Sequence, residues 1–336
     1  MNDELDLKKY SVRTDLALEA REIAEGAAAG AGIPGVASET IEDEGIMITH
    51  LEVQNEQGAS AIGKMVGRYI TIEVPGLRGH DSDLQDRVAT QFAKNFAEFL
   101  ERLQIGKMSR VLIVGLGNWN VTPDALGPLV VENVMVTRHL FELMPDQISP
   151  GYRSVSAIAP GVLGTTGIES SEIVQGIVDR SKPDVIIAID ALASRALERV
   201  NTTIQIADIG VHPGSGIGNK RKGLTKEILG VPVIAIGVPT VVYASTIVNN
   251  TFDMLRNHLD GNNGDSNHIL GVLNQIPEHE RLQLVKEVLN PLGHDLLVTP
   301  KEVDQFIEDI ANIIASGLNA ALHEAIDNDN VAAYTH

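Results

Sequence analysis

The sequence predicts an α/β protein in which helices flank a mostly parallel, twisted sheet. Short apolar runs rich in β-branched residues recur at 111–114, 183–190 and 233–236, and such runs are typical of strands that are buried on both faces. Helical patterns separate these runs, so crossover connections between parallel strands are expected. The chain has 336 residues and only 4% aromatic residues. It is therefore long enough for a large core of aliphatic side chains, with helices packed on a sheet rich in Val and Ile.

The N-terminal third predicts an appendage followed by a strand pair and a long helix. Residues 1–25 are charged and mildly helical, and the Gly/Ala run at 26–35 is expected to be a flexible connector between this extension and the body. Apolar and polar residues alternate over 46–53 and 69–74, which indicates two half-buried strands. Ser82 has capping-box spacing to Gln85, and apolar residues then step at helical spacing as far as Leu103.

From residue 110 the pattern alternates regularly between strands and helices. Between the strand at 111–114 and the one at 183–190, the chain predicts a helix, a short strand and a second helix that starts at a capping pair. The additional predicted elements are strands at 155–158, 202–207 and 233–236, and helices at 128–143, from Thr166 to Val178, and at 303–322.

Composition removes several classes of function. Asp and Glu total 45 against 26 Lys and Arg, for a formal charge of -19, which argues against non-specific binding to a phosphate backbone. The chain has no cysteine, so disulfides, thiolate zinc sites and cysteine nucleophiles are excluded. Its N-terminus lacks the pattern of a signal peptide, and no apolar run approaches the ~18 residues that span a bilayer. We therefore expect a soluble cytoplasmic protein without a membrane or a direct nucleic-acid partner.

Two aspartates are the leading candidates for chemistry. Asp124 and Asp190 each follow a predicted buried strand, and each begins an Asp-Ala-Leu tripeptide. Ligands of open α/β sheets bind beyond the carboxyl ends of the strands. Two carboxyl groups that share one proton supply a base to activate water and an acid to protonate a leaving group. The alternative is that each aspartate only caps a helix or closes a turn.

The glycine turn before Asp124 could be mistaken for a dinucleotide-binding motif. It contains Gly115, Gly117 and Asn118, but Asn120 stands where a third glycine would be needed. A nucleotide site is therefore not indicated. We expect the backbone N–H groups of Gly117 and Asn118 to lie beside Asp124, where they could stabilise an oxyanion.

A second Gly-rich loop, His212–Gly218, precedes the basic triplet 220–222. It lacks the Lys-Ser/Thr of a P-loop, so it predicts a surface loop near the substrate cleft. His212 could join the two aspartates around a divalent metal ion, which leaves a metal-dependent endopeptidase as an alternative. The leading interpretation has no metal and no other cofactor. A non-catalytic α/β binding protein is the second alternative.

Several ordered segments together resemble the germination protease family of endospore-forming bacteria. The resemblance covers nearly the whole chain, is strongest over 110–250 and is weakest in the Gly/Ala connector and at 258–300. The matching segments are Tyr10–Ala17, Gly115–Pro128, Ala159–Ser170, Ile187–Ser194, and Gly210–Gly218 with the basic turn that follows.

The resemblance implies an endopeptidase that starts the degradation of small acid-soluble spore proteins during germination, in the core of the spore. It implies a homotetramer made as a zymogen, with a pro-segment at 1–15 that is removed at the Asp15–Leu16 bond and a single α/β peptidase domain at 16–336. The family's two functional aspartates correspond to Asp124 and Asp190. The implied fold is that of hydrogenase-maturation endopeptidases, which use a metal ion that the spore family is not implied to need.

Overall fold

The chain forms a mixed β-sheet with helices packed on both faces. The structure is a computed structural model that describes residues 14–27, 32–211, 222–260, 277–289 and 295–326. Within these residues one sheet of nine strands has the order β1-β2-β3-β7-β8-β6-β4-β5, and β9 pairs with β8. The strands are β1 (Val36–Asp43), β2 (Ile46–Val53), β3 (Gly67–Glu73), β4 (Val111–Gly115), β5 (Val155–Ile158), β6 (Val185–Ser194), β7 (Thr203–Ala207), β8 (Val233–Tyr243) and β9 (Leu297–Val298).

The helices occupy the segments between the strands and both ends of the described chain. They are α1 (Ala17–Ala27), α2 (Glu56–Ile62), α3 (Ser82–Arg102), α4 (Leu126–Asn133), α5 (Arg138–Leu143), α6 (Leu163–Thr166), α7 (Ser170–Ser181), α8 (Lys226–Leu229), α9 (Ala244–Asp260), α10 (Glu278–Leu289) and α11 (Val303–Leu322). Short 3-10 turns join several of them, including Thr122–Asp124 just before α4. No helix of the described ranges is long and apolar enough to cross a membrane.

The α/β class predicted from the sequence is confirmed. Strands β8, β6, β4 and β5 pair in parallel and form one end of the sheet, with β5 at its edge. The other strands join this group in antiparallel fashion through β7 and β9. The predicted pair at 46–53 and 69–74 is confirmed as β2 and β3, whereas β1 was missed because all but its first residue are exposed and it carries no alternating apolar pattern.

Strand β4 and the first half of β6 are buried on both faces, as their continuous apolar runs predict. Ile113 and Ile187 point to one face, where they pack with α3, α4 and α11. Leu112 and Ile186 point to the opposite face, where α7 covers them. Successive side chains of a strand alternate between the faces, so a strand between two helical layers needs apolar residues at every position.

Several predicted element boundaries are wrong for local reasons. The N-cap of α3 is Asp81, whose carboxylate accepts the N–H of Asp83 and Leu84, rather than Ser82. The predicted helix over 128–143 is divided into α4 and α5. Helix α7 begins at Ser170, and Thr166 ends the short helix α6 instead of capping α7. The helix over 303–322 is confirmed as α11.

The expected connector at 26–35 begins inside α1, which ends at Ala27. Residues Ala17 and Ala20 of this helix pack against Leu51 and Tyr69 of β2 and β3. Residues 28–31 lie outside the described residues. The body of the protein therefore begins at α1, ahead of the Gly/Ala run.

Candidate active site

The glycine turn after β4 brings the chain back into contact with itself. A Cβ atom at Gly115 would lie 2.1 Å from the carbonyl oxygen of Gly127, and a Cβ at Gly117 would lie 1.9 Å from the carbonyl oxygen of Asp124. Gly117 also has φ +115°, a conformation that L side chains rarely adopt. These glycines are therefore required so that Asp124 and the start of α4 can approach the end of β4.

Three hydrogen bonds to the main chain hold the turn that carries Asp124. Its N–H donates to the carbonyl of Val121 at 2.7 Å, and its carbonyl accepts the N–H of Asn118 at 2.9 Å. The hydroxyl of Thr240 on β8 donates to the carbonyl of Pro123 at 2.6 Å. The 3-10 turn is thus attached both to the glycine turn and to β8, while Asp124 itself is only half-buried.

Asp190 lies inside β6, where the sheet loses one neighbouring strand. The prediction that the strand ends on Asp190 is wrong, because β6 continues to Ser194 alongside β8. The parallel pairing with β4 ends at Gly115 and Ile189, and the N–H of Leu116 then donates to the carbonyl of Ile189 at 2.8 Å. Asp190 is half-buried, and its Oδ1 accepts the N–H of Ala191 at 3.0 Å.

The segment Leu116–Gly117 contacts Asp124 and the residue that precedes Asp190. Leu116 is bonded to the residue before Asp190, and a Cβ at Gly117 would lie 3.4 Å from the carboxyl carbon of Asp124. Both carboxyl groups thus occur where β4 ends and the chain leaves the sheet, which is the ligand-binding edge of an open α/β sheet. Partly exposed carboxyl groups at such an edge have access to water and to a peptide.

The structure treats the three predicted supporting residues, Gly117, Asn118 and His212, differently. The Asn118 N–H is used by the Asp124 carbonyl, and the Asn118 side chain accepts the N–H of Asn120 at 3.0 Å. Asn118 therefore orders the turn, and its N–H is not available to an oxyanion in this conformation. An oxyanion role for Gly117 stays a prediction. His212 lies outside the described residues, and no group of three potential ligands that could hold a metal ion occurs in the part of the chain that is described.

The Asp15–Leu16 bond is packed into the body. Leu16 is 0% exposed. Asp15 pairs with Ala193 near the end of β6: its N–H donates to the Ala193 carbonyl at 2.9 Å, and its Oδ2 accepts the Ala193 N–H at 2.8 Å. Asp15 and Leu16 are therefore held against the body of the protein. Residues 1–13 lie outside the described part of the chain.

Three polar side chains around this bond belong to none of the motifs that the sequence analysis identified. Lys64 Nζ donates to the Asp15 carbonyl at 2.9 Å, and Gln205 donates to the same carbonyl at 3.5 Å. Glu19 is 1% exposed and accepts two backbone N–H groups just beyond β6. Burial lowers the pKa of Lys64, while the charges of Asp15 and Glu19 raise it. No spacing rule identifies these residues, because their partners are distant in the chain.

The family model and the curated relatives that match this chain carry the same description. The family model described as germination protease matches residues 16–269 and 260–335. Germination proteases of Bacillus cytotoxicus and Bacillus mycoides are each 53% identical, and that of a Geobacillus species is 52% identical, each over the full length of both chains.

Among solved structures, the hydrogenase maturation protease HycI from Thermococcus kodakarensis matches 62% of this chain and 92% of its own, with 20% identity and a TM-score of 0.29. The match to the family model covers nearly the whole chain, and the curated relatives share more than half of its residues. The chain therefore belongs to the germination protease family and is a peptidase of spore germination.

Proposed function

We propose that this chain is an autoprocessing endopeptidase in which Asp124 and Asp190 handle the protons of peptide-bond hydrolysis. The proposal is supported by the segment Leu116–Gly117 at the end of β4, which lies against Asp124 and is hydrogen-bonded to the residue before Asp190. One ionised carboxylate accepts a proton from the attacking water. The other carboxyl group, in its protonated form, donates to the leaving nitrogen.

The proposed substrates are small acid-soluble spore proteins, and the proposed place of action is the core of the germinating spore. Both proposals follow from the family resemblance of the sequence, and the relatives' name, germination protease, supports action during germination. We propose a homotetramer as the assembly. A zymogen fits the geometry, since the Asp15–Leu16 bond is buried and the segment before it contacts the strand that carries Asp190.

Buried packing of the processing bond explains how a zymogen could stay dormant. A peptide bond must reach the catalytic groups in an extended, accessible form to be cut, and Leu16 is fully enclosed. The segment 14–16 must therefore leave its position before hydrolysis. Its bonds to Ala193, Lys64, Gln205 and Glu19 have to open.

The test of the aspartate mechanism is cleavage of a purified small acid-soluble spore protein by the Asp124→Asn protein. Asparagine keeps the size of the side chain and removes its proton chemistry, so we expect cleavage to fall at least a hundredfold, on the order of the general acid–base contribution. The matched control is Asp146→Asn, which changes an exposed carboxylate elsewhere on the surface and is expected to leave the rate unchanged. Undiminished cleavage by the Asp124→Asn protein would exclude the mechanism.

Exhaustive chelation separates this proposal from a metal-dependent one. The aspartate pair acts on water directly, so the wild-type rate is expected to survive dialysis against a strong chelator. Loss of activity that returns on addition of a divalent metal would instead assign Asp124 and Asp190 to a metal site.

A further inference from the structure

Glu19 connects the N-terminal segment to the chain beyond β6. Its Oε1 accepts the N–H of Ala196 at 2.9 Å, and its Oε2 accepts the N–H of Arg195 at 2.6 Å. A carboxylate that is 1% exposed is stable only when such donors satisfy it. Glu19 thereby fixes the segment that directly follows the strand carrying Asp190.

Thr14 stands between Glu19 and the nitrogen of Leu16. The Thr14 hydroxyl donates to Glu19 Oε2, and it accepts the N–H of Leu16 at 3.0 Å. The Leu16 nitrogen is thus separated from the Glu19 carboxylate by a single hydroxyl group. Removal of residues up to Asp15 would remove this hydroxyl as well.

Hydrolysis of the Asp15–Leu16 bond changes the chemistry at this place. Water adds across the amide, so that Asp15 leaves with a new carboxylate and Leu16 keeps the nitrogen as an amine. This amine is protonated at neutral pH, because the ordinary pKa of an α-amino group is about 8. A neutral amide N–H next to Glu19 is replaced by a full positive charge.

From this arrangement we infer that Glu19 is a positioning residue which binds the new Leu16 α-ammonium group in place of the Thr14 hydroxyl. The pair then holds the segment after β6 in the processed chain, where the bonds from Asp15 to Ala193 are lost. The inference rests on the proposed function for the position of the cut, and it adds what the cut creates.

The positive charge already near Glu19 is largely compensated by other residues. Arg199 Nη1 lies 3.4 Å from Glu19 Oε1, but this guanidinium also binds Glu22 and Glu73 at 2.7 Å. Burial would lower the pKa of Arg199, and the hydrogen bonds to Glu22 and Glu73 raise it overall. Arg199 therefore stays charged and balanced by two further carboxylates, which leaves Glu19 able to bind a second cation.

Lys64 is the other cation that faces this place. Its ammonium group donates to the carbonyls of Thr14 and Asp15 at 3.1 and 2.9 Å. Burial lowers its pKa, whereas Asp15 and Glu19 raise it. Loss of Asp15 removes one of these two negative charges, so Lys64 loses its proton more readily and repels the new ammonium group less.

The experiment uses the chain that begins at Leu16, released from an N-terminal fusion partner by a specific protease. This route creates the Leu16 terminus without the chain's own activity. All members of the four apolar clusters lie at or after residue 17, so the released chain retains its core. The measured quantity is the rate at which an acylating reagent modifies the Leu16 amine at pH 7, followed by mass spectrometry of the N-terminal peptide.

An ion pair with Glu19 raises the pKa of the Leu16 amine and so lowers the reactive, unprotonated fraction. A rise of about one unit lowers this fraction roughly tenfold at pH 7, and we expect acylation to be slower by that factor than in the Glu19→Gln chain. The control is Glu25→Gln. This substitution removes a carboxylate that lies on the same helix and pairs with Arg21. It is expected to leave the slow rate unchanged.

A pH profile of unfolding provides a second measurement that needs no substitution. Since the folded-state pKa of the amine is raised, the pair stabilises fully below pH ~8 and its contribution is lost as pH rises through the raised pKa. The chain from Leu16 is expected to lose stability over that window. The full-length chain is expected not to, because its Leu16 nitrogen is an amide.

Equal acylation rates with and without Glu19, parallel pH profiles of the two chains, or an unfolded chain from Leu16 would each overturn the inference. Failure of the full-length chain to cut itself is a different result. It would count against the proposed function and would leave the acylation rates unaffected.

Discussion

The contact between Gly117 and Asp124 allows one substitution to test how the site is positioned. In the Gly117→Ala protein the new Cβ would lie 1.9 Å from the Asp124 carbonyl oxygen, at a residue with φ +115°. Real Cβ atoms do not approach a backbone oxygen so closely, so the turn carrying Asp124 must shift. The position of the Asp124 carboxylate and the stability of the fold are both expected to change.

The magnitude follows from two separate costs. A non-glycine residue in a disfavoured backbone region costs about 1–3 kcal/mol, and overpacking in a filled site typically costs about 1–3 kcal/mol more. We therefore expect the free energy of unfolding to fall by roughly 2–6 kcal/mol. Because Asp124 moves with the turn, peptidase activity is expected to fall even at temperatures where the protein stays folded.

The matched control isolates the backbone strain from the contact. Gly230 has φ +73°, and a Cβ there would meet nothing within 4 Å. The Gly230→Ala protein is therefore expected to lose only about 1–3 kcal/mol and to keep its activity. The assay is urea-induced unfolding together with cleavage of a small acid-soluble spore protein. If Gly117→Ala matches Gly230→Ala in both measurements, the reasoning about the glycine turn is refuted.

Two further substitutions test a buried histidine and a single hydrogen bond. Burial lowers the pKa of His323 to about 4, so its neutral form stabilises the fold above pH 6.5, and up to about 3 kcal/mol is lost as pH falls from 6.5 to 4. His323→Gln should flatten the acid side of the stability–pH curve, and a curve parallel to the wild type contradicts this. Thr240→Val removes the hydroxyl that supports Pro123 and should cost about 1–3 kcal/mol along with most of the activity. Thr299→Val, which loses a similar bond to the carbonyl of Thr240, should retain activity, and equal activity losses would argue against the support of the Asp124 turn.

The parallel part of the sheet could be predicted because the burial of its strands is visible in their sequence. A strand covered by helices on both faces must be apolar throughout, as Ile186 and Ile187 illustrate on β6. Strand β1 carries no such signal, since its outer face and edge are exposed. The continuation of β6 beyond Asp190 was also missed, because Ala191 and Leu192 are only partly buried and the pairing with β8 depends on a distant segment.

Some residues of the candidate site could likewise be predicted from local sequence, and others could not. Asp124 and Asp190 could be singled out, since each follows an apolar run that local sequence reveals. The roles of Glu19 and Lys64 could not be predicted, because their partners lie 176 and 50 positions away in the chain. The need for Gly117 is likewise a tertiary effect, since its close neighbour is the carbonyl of Asp124.

The central claim, that Asp124 and Asp190 together carry out peptide-bond hydrolysis, is tested most directly on the chain's own processing. The full-length Asp190→Asn protein and the wild type are incubated at mildly acidic pH, where a carboxyl pair can hold one proton. Intact mass and N-terminal sequencing then follow the first residue. We predict that the wild type becomes a chain beginning at Leu16, while the variant keeps its full length and its fold. A Leu16 terminus on the variant at the wild-type rate would contradict the account.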